Sequence, residues 1–231
     1  MRRPPVPVTV LTALAALAAV LLAAPAALAA PAPAVPSAPT AVRGGDVLYG
    51  GDGRRCTVAF NARGGDAYYG LVAGHCAGGA TTWYADAART VPVGTTGGSS
   101  FPGDDHGIVR YTNTSLSYPP EVNLGGGAVR SITGAATPRV GQSVCHTGRT
   151  SGLRCGTVTA VNITVNYGGG AVHGLFRSNA CSEPGDAGGP AFSGGTALGI
   201  IVGGSGNCSY GGGTYYQPVV EVLAAYGLSL H

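Results

Sequence analysis

The chain is expected to be all-β, a sandwich or a pair of barrels, closed by one C-terminal helix. Three observations point there. The 231 residues include 41 glycines without a Gly-X-Y period, 11 tyrosines and only 10% charged residues, a turn-dense composition unlike that of a helical or disordered chain. Short segments rich in Val, Thr, Tyr and Ile recur between glycine-bearing turns, as in sandwiches and barrels. A convincing helical face occurs once, at the end, where Pro218 opens a run with Val219, Val222, Leu223 and Tyr226 on one side.

The elements follow in chain order. Met1-Arg2-Arg3, the apolar stretch from Val6 to Leu22 and the small-residue run Ala27-Leu28-Ala29 are the three parts of a secretory signal peptide, so residues 1–29 are expected to be a leader cleaved after Ala29. An uncleaved transmembrane helix is the competing reading, because the stretch approaches spanning length, but Pro25 and the Ala-x-Ala site favour removal. Pro31, Pro33, Pro36 and Pro39 make residues 30–41 an extended connector that builds no core. About 190 residues then remain, 42–231, enough for one large or two small domains. Strand-like segments within them are Thr57 to Asn61, Tyr68 to Ala73, Ile108 to Tyr111, Val140 to Cys145, Thr157 to Asn166, Ala197 to Val202 and Thr214 to Gln217. The cluster Gly125-Gly126-Gly127 is a candidate crossover between a first half, about 42–125, and a second, about 126–231.

Composition also excludes chemistry. The net charge is +3 with no run of like charges, so nucleic acid is not an expected partner. Every basic residue is arginine, which rules out a Ser/Lys dyad and a Schiff-base lysine. Six cysteines in an exported chain imply three disulfides, and fifteen pairings are open. Nearest-neighbour pairing is the simplest: Cys56 with Cys76, Cys145 with Cys155, Cys181 with Cys208, each contributing roughly 2 to 4 kcal/mol. Metal ligation is the alternative, disfavoured because no Cys-x-x-Cys occurs and the five histidines are scattered. No cofactor is expected.

Three segments carry the chemistry. Leu71-Val72-Ala73-Gly74-His75-Cys76 delivers a histidine from a β run beside a cysteine; Asp104-Asp105-His106-Gly107-Ile108-Val109 supplies a carboxylate; Cys181-Ser182-Glu183-Pro184-Gly185-Asp186-Ala187-Gly188-Gly189-Pro190 is a glycine-rich turn. A lone histidine is usually structural, but the order His, Asp, turn, with these flanks, is specific. The constellation resembles the chymotrypsin-fold serine proteases, and within them the secreted bacterial streptogrisin and α-lytic protease group. The likeness runs from Val42 to His231 and includes Ser99-Ser100-Phe101-Pro102-Gly103, Gly203-Gly204-Ser205-Gly206-Asn207-Cys208, Tyr215-Tyr216-Gln217-Pro218-Val219 and Ala225-Tyr226-Gly227.

The resemblance implies two six-stranded antiparallel β-barrels with a cleft between them, His75 and Asp105 from the first and the nucleophile loop from the second. It also supports the nearest-neighbour disulfides. In an active member the histidine takes the serine proton, the aspartate orients that histidine, and two backbone N–H groups hold the oxyanion. Here Ala187 places a methyl group at the nucleophile position, while Gly185 and Ala187 retain the backbone for an oxyanion hole. Where the related enzymes carry an arginine after the position of Cys145, this chain has His146, which is expected to pair with Asp186. Two further family hydroxyls are replaced by Val72 and Val202, the second removing a donor to Asp105. Three apolar replacements around one site read as natural loss of catalysis rather than an engineered knock-out. The short distance from Ala29 to Val42, against the long pro-region of relatives, points the same way. Ser182, Ser193 and Ser205 are the alternative nucleophiles and none is well placed.

Peptide binding outlasts the loss of the serine. The resemblance places Ala180, Ile201, Val202, Gly203 and Gly204 along the substrate, with Ile201 in place of the histidine of glutamate-selective relatives, so an apolar side chain is the expected occupant. Backbone pairing along Val202 to Gly204 is β-strand addition and needs no hydroxyl. The expectation is a secreted, extracellular, monomeric homologue of these proteases that holds a peptide or protein segment in its inter-barrel cleft, has no membrane contact after leader removal, and does not cut. An active endopeptidase with apolar preference, using another nucleophile or altered at position 187, is the alternative.

Overall fold

The computed structural model describes Met1, residues 38–79 and residues 81–231, so residues 2–29 of the expected leader and 30–37 of the connector lie outside it. The described chain from Ala38 onward is built on two sheets, antiparallel except where Gly134–Ala135 pairs in parallel with Thr196–Asn207. In the first, the order is Ser229–Leu230, Asn61–Gly64, Ala67–Val72, His106–Tyr111, Pro92–Ser100, Thr82–Tyr84, Val47–Gly50 and Arg55–Thr57. Arg55–Thr57 and Asn61–Gly64 are one stretch of chain interrupted only by Val58–Phe60, so the ends of this order meet and six strands close around a core. Leu48, Val58, Val72, Trp83, Val93 and Val109 fill it. Trp83 Nε1 donates to Thr96 Oγ1 at 2.9 Å, so the largest buried ring keeps its polar atom paired.

The second sheet runs Gly134–Ala135, Thr196–Asn207, Pro190–Ser193, Ser143–Gly148, Gly152–Tyr167, Gly170–Ser178 and Gly211–Pro218. Thr196–Asn207 also pairs with Gly211–Pro218, which closes six of these strands into a second barrel. Its centre holds Val144, Phe176, Leu198, Ile201 and Tyr216. A further apolar cluster joins residues of both sheets, among them Phe60, Leu71, Ile108, Phe192, Ile200 and Val222, so the barrels share an apolar interface.

The three disulfides are Cys56–Cys76, Cys145–Cys155 and Cys181–Cys208, the nearest-neighbour set. The C-terminal helix is Val219–Tyr226, with Val219 and Val222 buried and Gly227 ending it in the left-handed region at φ 62°. A four-residue helical turn, Gly74–Ala77, was not expected. Gly125, Gly126 and Gly127, all at positive φ, turn a small hairpin of Glu121–Gly125 and Ala128–Ser131. Nine of the observed strands fall outside the expected segments, among them Val47–Gly50, Pro92–Ser100, Gly170–Ser178 and Pro190–Ser193. Pro92–Ser100 is mostly Gly, Ser and Thr; its strand character comes from pairing with His106–Tyr111 and Thr82–Tyr84. No helix among the described residues is long and apolar enough to cross a membrane.

Candidate active site

His75 enters at the end of Ala67–Val72, where the chain tightens into the Gly74–Ala77 turn and Cys76 is bonded to Cys56. The Asp105 carboxylate, 1% exposed, meets it twice. Its Oδ1 accepts the His75 backbone N–H at 2.8 Å and its Oδ2 faces His75 Nδ1 at 2.7 Å. Nδ1 therefore carries the proton toward the carboxylate, and Nε2 is left for the cleft, where the His75 side chain is about one-third exposed. Phe101 meets the imidazole edge-to-face, with ring centroids 5.9 Å apart.

Asp105 is held from the other barrel as well. Its backbone N–H donates to Gln217 Oε1 at 3.0 Å, and Gln217 Nε2 donates to Glu221 Oε2 on the C-terminal helix at 2.8 Å. Gln217 is fully buried, so this amide bridges the C-terminal helix and the Asp105 backbone across the interface. Sequence reasoning quoted Gln217 only as part of a shared motif; the signal that could have singled it out is a polar amide between two buried-type residues, Tyr216 and Pro218. Val202 offers Asp105 no donor. It packs with Val172 and Leu175, and among the described residues the carboxylate oxygens accept only from His75. Val72 is likewise wholly buried in the first barrel.

The loop 183–189 is organised by Asp186, 1% exposed. Its Oδ1 accepts the N–H of Thr150 at 2.7 Å and of Ser151 at 3.1 Å, and its Oδ2 accepts the N–H of Glu183 at 2.8 Å. The expected His146–Asp186 pair is not formed. His146 Nδ1 instead lies 2.7 Å from Tyr216 Oη, which also meets Ser178 Oγ at 2.8 Å. The physical reason is burial: His146 is fully enclosed, and desolvation pushes its imidazole down to about 4 despite the attraction of Asp186. A neutral ring cannot neutralise a carboxylate, and three backbone donors do that work instead.

Gly185 sits at φ +102° in a turn closed by Asp186 N–H to Glu183 C=O at 3.1 Å. The N–H groups of Gly185 and Ala187 donate to no acceptor among the described residues, whereas Gly188 N–H is bound to Ile201 C=O at 2.7 Å and Gly189 N–H to Asp186 C=O at 3.0 Å. Two free donors thus flank a methyl group. Gly188, at φ +89°, packs its α-carbon on the Thr57 carbonyl, where any Cβ would collide. Thr57 follows Cys56, so the Cys56–Cys76 bridge connects the floor beneath Ala187 to the residue after His75.

Beside Ala187 lies a cavity of about 180 Å³, lined by Ser182, Glu183, Pro184, Gly185, Ala187, Ile201, Gly203, Gly204 and Gly206. Ile201, Gly203 and Gly204 were expected here. Ala180 and Val202 are instead buried behind the wall: Ala180 C=O accepts Thr214 Oγ1 at 2.7 Å, and Val202 alternates to the opposite face of its strand from Ile201 and Gly203. Ser182, Glu183, Pro184 and Gly206 join the lining because the Cys181–Cys208 bridge folds their two segments together. Past Ile201 the strand Thr196–Asn207 is paired on one side only, by Gly211–Pro218, so its other edge is open alongside the cavity. A larger cavity of about 530 Å³ lies between the N-terminal segment and the turn near Gly148, and neither His75 nor Ala187 lines it. Among the described residues no group of three or more His, Cys, Asp or Glu side chains is arranged to hold a metal. None of Ser182, Ser193 and Ser205 is hydrogen-bonded to His75; Ser182 Oγ lies against the Gly204 α-carbon, and Ser193 and Ser205 are fixed in strand pairs with Thr196 and Gly213.

No protein-family model matches the chain. Individual proteins do. It is 47% identical over 191 residues to Streptogrisin-D of Streptomyces griseus, which covers 82% of this chain and 48% of that protein, so the chain spans about half the length of that relative. It is 49% identical over 175 residues to Serine protease 2 of Streptomyces fradiae, covering 75% of this chain and all of that protein. Among solved structures, the alpha-lytic protease homolog N4 matches with a TM-score of 0.78 and 58% identity, over 83% of this chain and 100% of the other. Identity of this extent across whole relatives, on two closed barrels with three cysteine bridges and a His–Asp pair, places the chain in the streptogrisin and α-lytic group of chymotrypsin-fold serine proteases.

Proposed function

We propose that this chain is a secreted member of the family that binds peptide segments without hydrolysing them. The observation that carries the reading is the methyl of Ala187 next to two backbone N–H groups that donate to nothing among the described residues, in a chain whose His75 is oriented by Asp105: donors and a base are supplied, and a hydroxyl at 187 is not. The His75–Asp105 pair, Ala187, and the N–H groups of Gly185 and Ala187 are the site. A peptide adds as a strand along the open edge from Val202 to Gly204 and places an apolar side chain in the cavity beside Ala187. Residual stabilisation by the oxyanion hole alone, about a thousandfold over water, leaves peptide hydrolysis unobservable.

A second reading, an active endopeptidase with a different nucleophile, is favoured by one observation, the 2.7 Å His75–Asp105 contact, which is the geometry of a working base. One experiment separates them. A fluorophosphonate probe and a chromogenic peptide amide with an apolar side chain before the scissile bond should give neither label nor turnover with the chain as it stands. Labelling would sink the non-catalytic reading. Ala187→Ser should recover little activity and Ala187→Ser with Val202→Ser more, because the second hydroxyl restores a donor to Asp105. Full activity from the single change would refute the idea that Val202 contributes to the loss.

A further inference from the structure

We infer that the first barrel carries a second binding site, for the neutral rings of an oligosaccharide, at the opposite end of its strands from the His75–Asp105 pair. The site stands whether or not the cleft cuts peptides. Ala67–Val72 runs from Tyr68 toward His75, and the antiparallel His106–Tyr111 runs from Asp105 back to Arg110 and Tyr111. At that far end lie two adjoining cavities, of about 490 and 350 Å³, both lined by Tyr68, Leu116 and Tyr118. The rings there are fixed in advance. Tyr118 stacks on buried Tyr111 with centroids 4.0 Å apart and planes 13° apart, and its Oη donates to Asn113 C=O at 2.7 Å. Tyr111 Oη donates in turn to buried Asn61 Oδ1 at 2.9 Å, and Asn61 Nδ2 donates to the C=O groups of Val42 and Pro119, each at 2.8 Å. Half-buried Tyr68 lies 6.1 Å from Tyr118 at an interplanar angle of 29°, and the His231 ring, on the smaller cavity, stands 4.7 Å from Tyr68. Rings tied to the core by hydrogen bonds lose little freedom when a flat ligand covers them.

The polar groups around the rings select the ligand. Tyr68 Oη, the Arg110 guanidinium and the hydroxyls of Thr112 and Thr114 make no hydrogen bond among the described residues. The exposed Asp66 carboxylate meets only Arg63, at 3.7 Å. The larger cavity is thus edged by one group that only donates, one that only accepts, and three hydroxyls that do both. A proline-rich peptide, a common occupant of aromatic grooves, presents its free backbone carbonyls as acceptors and leaves the carboxylate unmatched. Sugar hydroxyls donate and accept at once, and the C–H face of the same pyranose covers a tyrosine ring by dispersion and exclusion of water. Asp66 and Arg110 bring both signs of charge to one cavity, which suits a neutral ligand better than an ionic one. Two cavities joined at Tyr68 and Tyr118 match consecutive rings of one chain.

The test is an NMR titration of the isotope-labelled protein with cellotriose, maltotriose and mannotriose, beside the peptide Ala-Pro-Pro-Ala-Pro-Pro. At least one trisaccharide is expected to shift the backbone resonances of Tyr68, Thr112 and Tyr118 while those of His75 and Gly185 stay in place. Tyr68→Ala should weaken that sugar about tenfold, as loss of one ring contact implies, and Arg110→Ala about threefold or more, as loss of one hydrogen bond implies. If Tyr68→Ala does not give a folded spectrum, Asp66→Asn and Arg110→Ala, both at exposed positions, carry the test. Retention on the insoluble polymer of the same sugar, released by the trisaccharide, identifies a polysaccharide as the source; binding of the trisaccharide without retention identifies a free oligosaccharide, and either upholds the site. No shift with any of the three sugars overturns the inference. Shifts at these residues with the peptide and with none of the sugars overturn it in favour of a protein ligand, and so does an affinity that neither variant changes. Each of these failures leaves the reading of the cleft intact, because no cleft residue takes part.

Discussion

Acidification should destabilise this protein partly through one imidazole, that of His146. Enclosed at 0% exposure and turned toward Tyr216, it has its folded pKa pushed from 6.5 down to about 4, first by desolvation. Between those values the unfolded chain binds a proton that the folded chain refuses, so stability rises with pH across the window and falls as pH drops through it. A displacement of that size corresponds to about 3 kcal/mol, fully expressed below pH 4 and absent above about pH 7. His106, also lowered chiefly by burial, acts in the same sense; Asp46 and Glu221, raised chiefly by burial, act in the opposite one. The comparison that isolates His146 is therefore with His146→Asn, which keeps a hydrogen-bonding group near the Nδ1 position but does not titrate. Urea unfolding of both proteins at half-unit steps from pH 8 to pH 4 should show the variant losing about 1 to 2 kcal/mol at pH 8 from lost volume, with the gap narrowing or reversing by pH 4. Parallel curves across the whole range would refute the argument. They would mean either that His146 is charged in the folded protein or that water reaches it.

Two further outcomes test the frame around the site. Gly188→Ala should cost about 3 kcal/mol or more, since the new methyl meets the Thr57 carbonyl at a φ of +89°, and a thermal midpoint within a degree or two of the parent would contradict that packing. Gln217→Leu strands the buried Asp105 N–H and leaves Glu221 without its donor, which should cost about 2 to 3 kcal/mol and broaden or abolish the downfield proton resonance of His75 Nδ1–H; a sharp, unshifted resonance would show that Asp105 needs no support from the second barrel.

The fold was legible where side chains dictate it. Ile108 to Tyr111, Thr157 to Asn166 and Ala197 to Val202 lie within observed strands, and the helix after Pro218 buries the face its spacing marks. It was illegible where partners dictate it: Pro92–Ser100 holds few apolar side chains and exists as a strand because two neighbours hydrogen-bond to it. The same division runs through the site. His75 and Asp105 could be picked out because each sits in a specific flank, and the structure brings them to 2.7 Å. The fate of His146 could not be read, because its partner depends on which of two acceptors lies within reach inside the second barrel, 70 residues away in the case of Tyr216. Gln217 escaped for a similar reason, its carbonyl meeting a backbone N–H 112 residues earlier.

The packing of Gly188 on Thr57 separates two kinds of information that a glycine-rich signature mixes together. A bulkier residue at 188 would drive the nucleophile loop off the first barrel whether or not any bond were ever cleaved there. The Gly-Gly-Pro that follows position 187 is thus a signature of how the halves fit, and it will persist in a chain with no chemistry to perform. Reading such a string as proof of turnover confuses the hinge of a door with its lock.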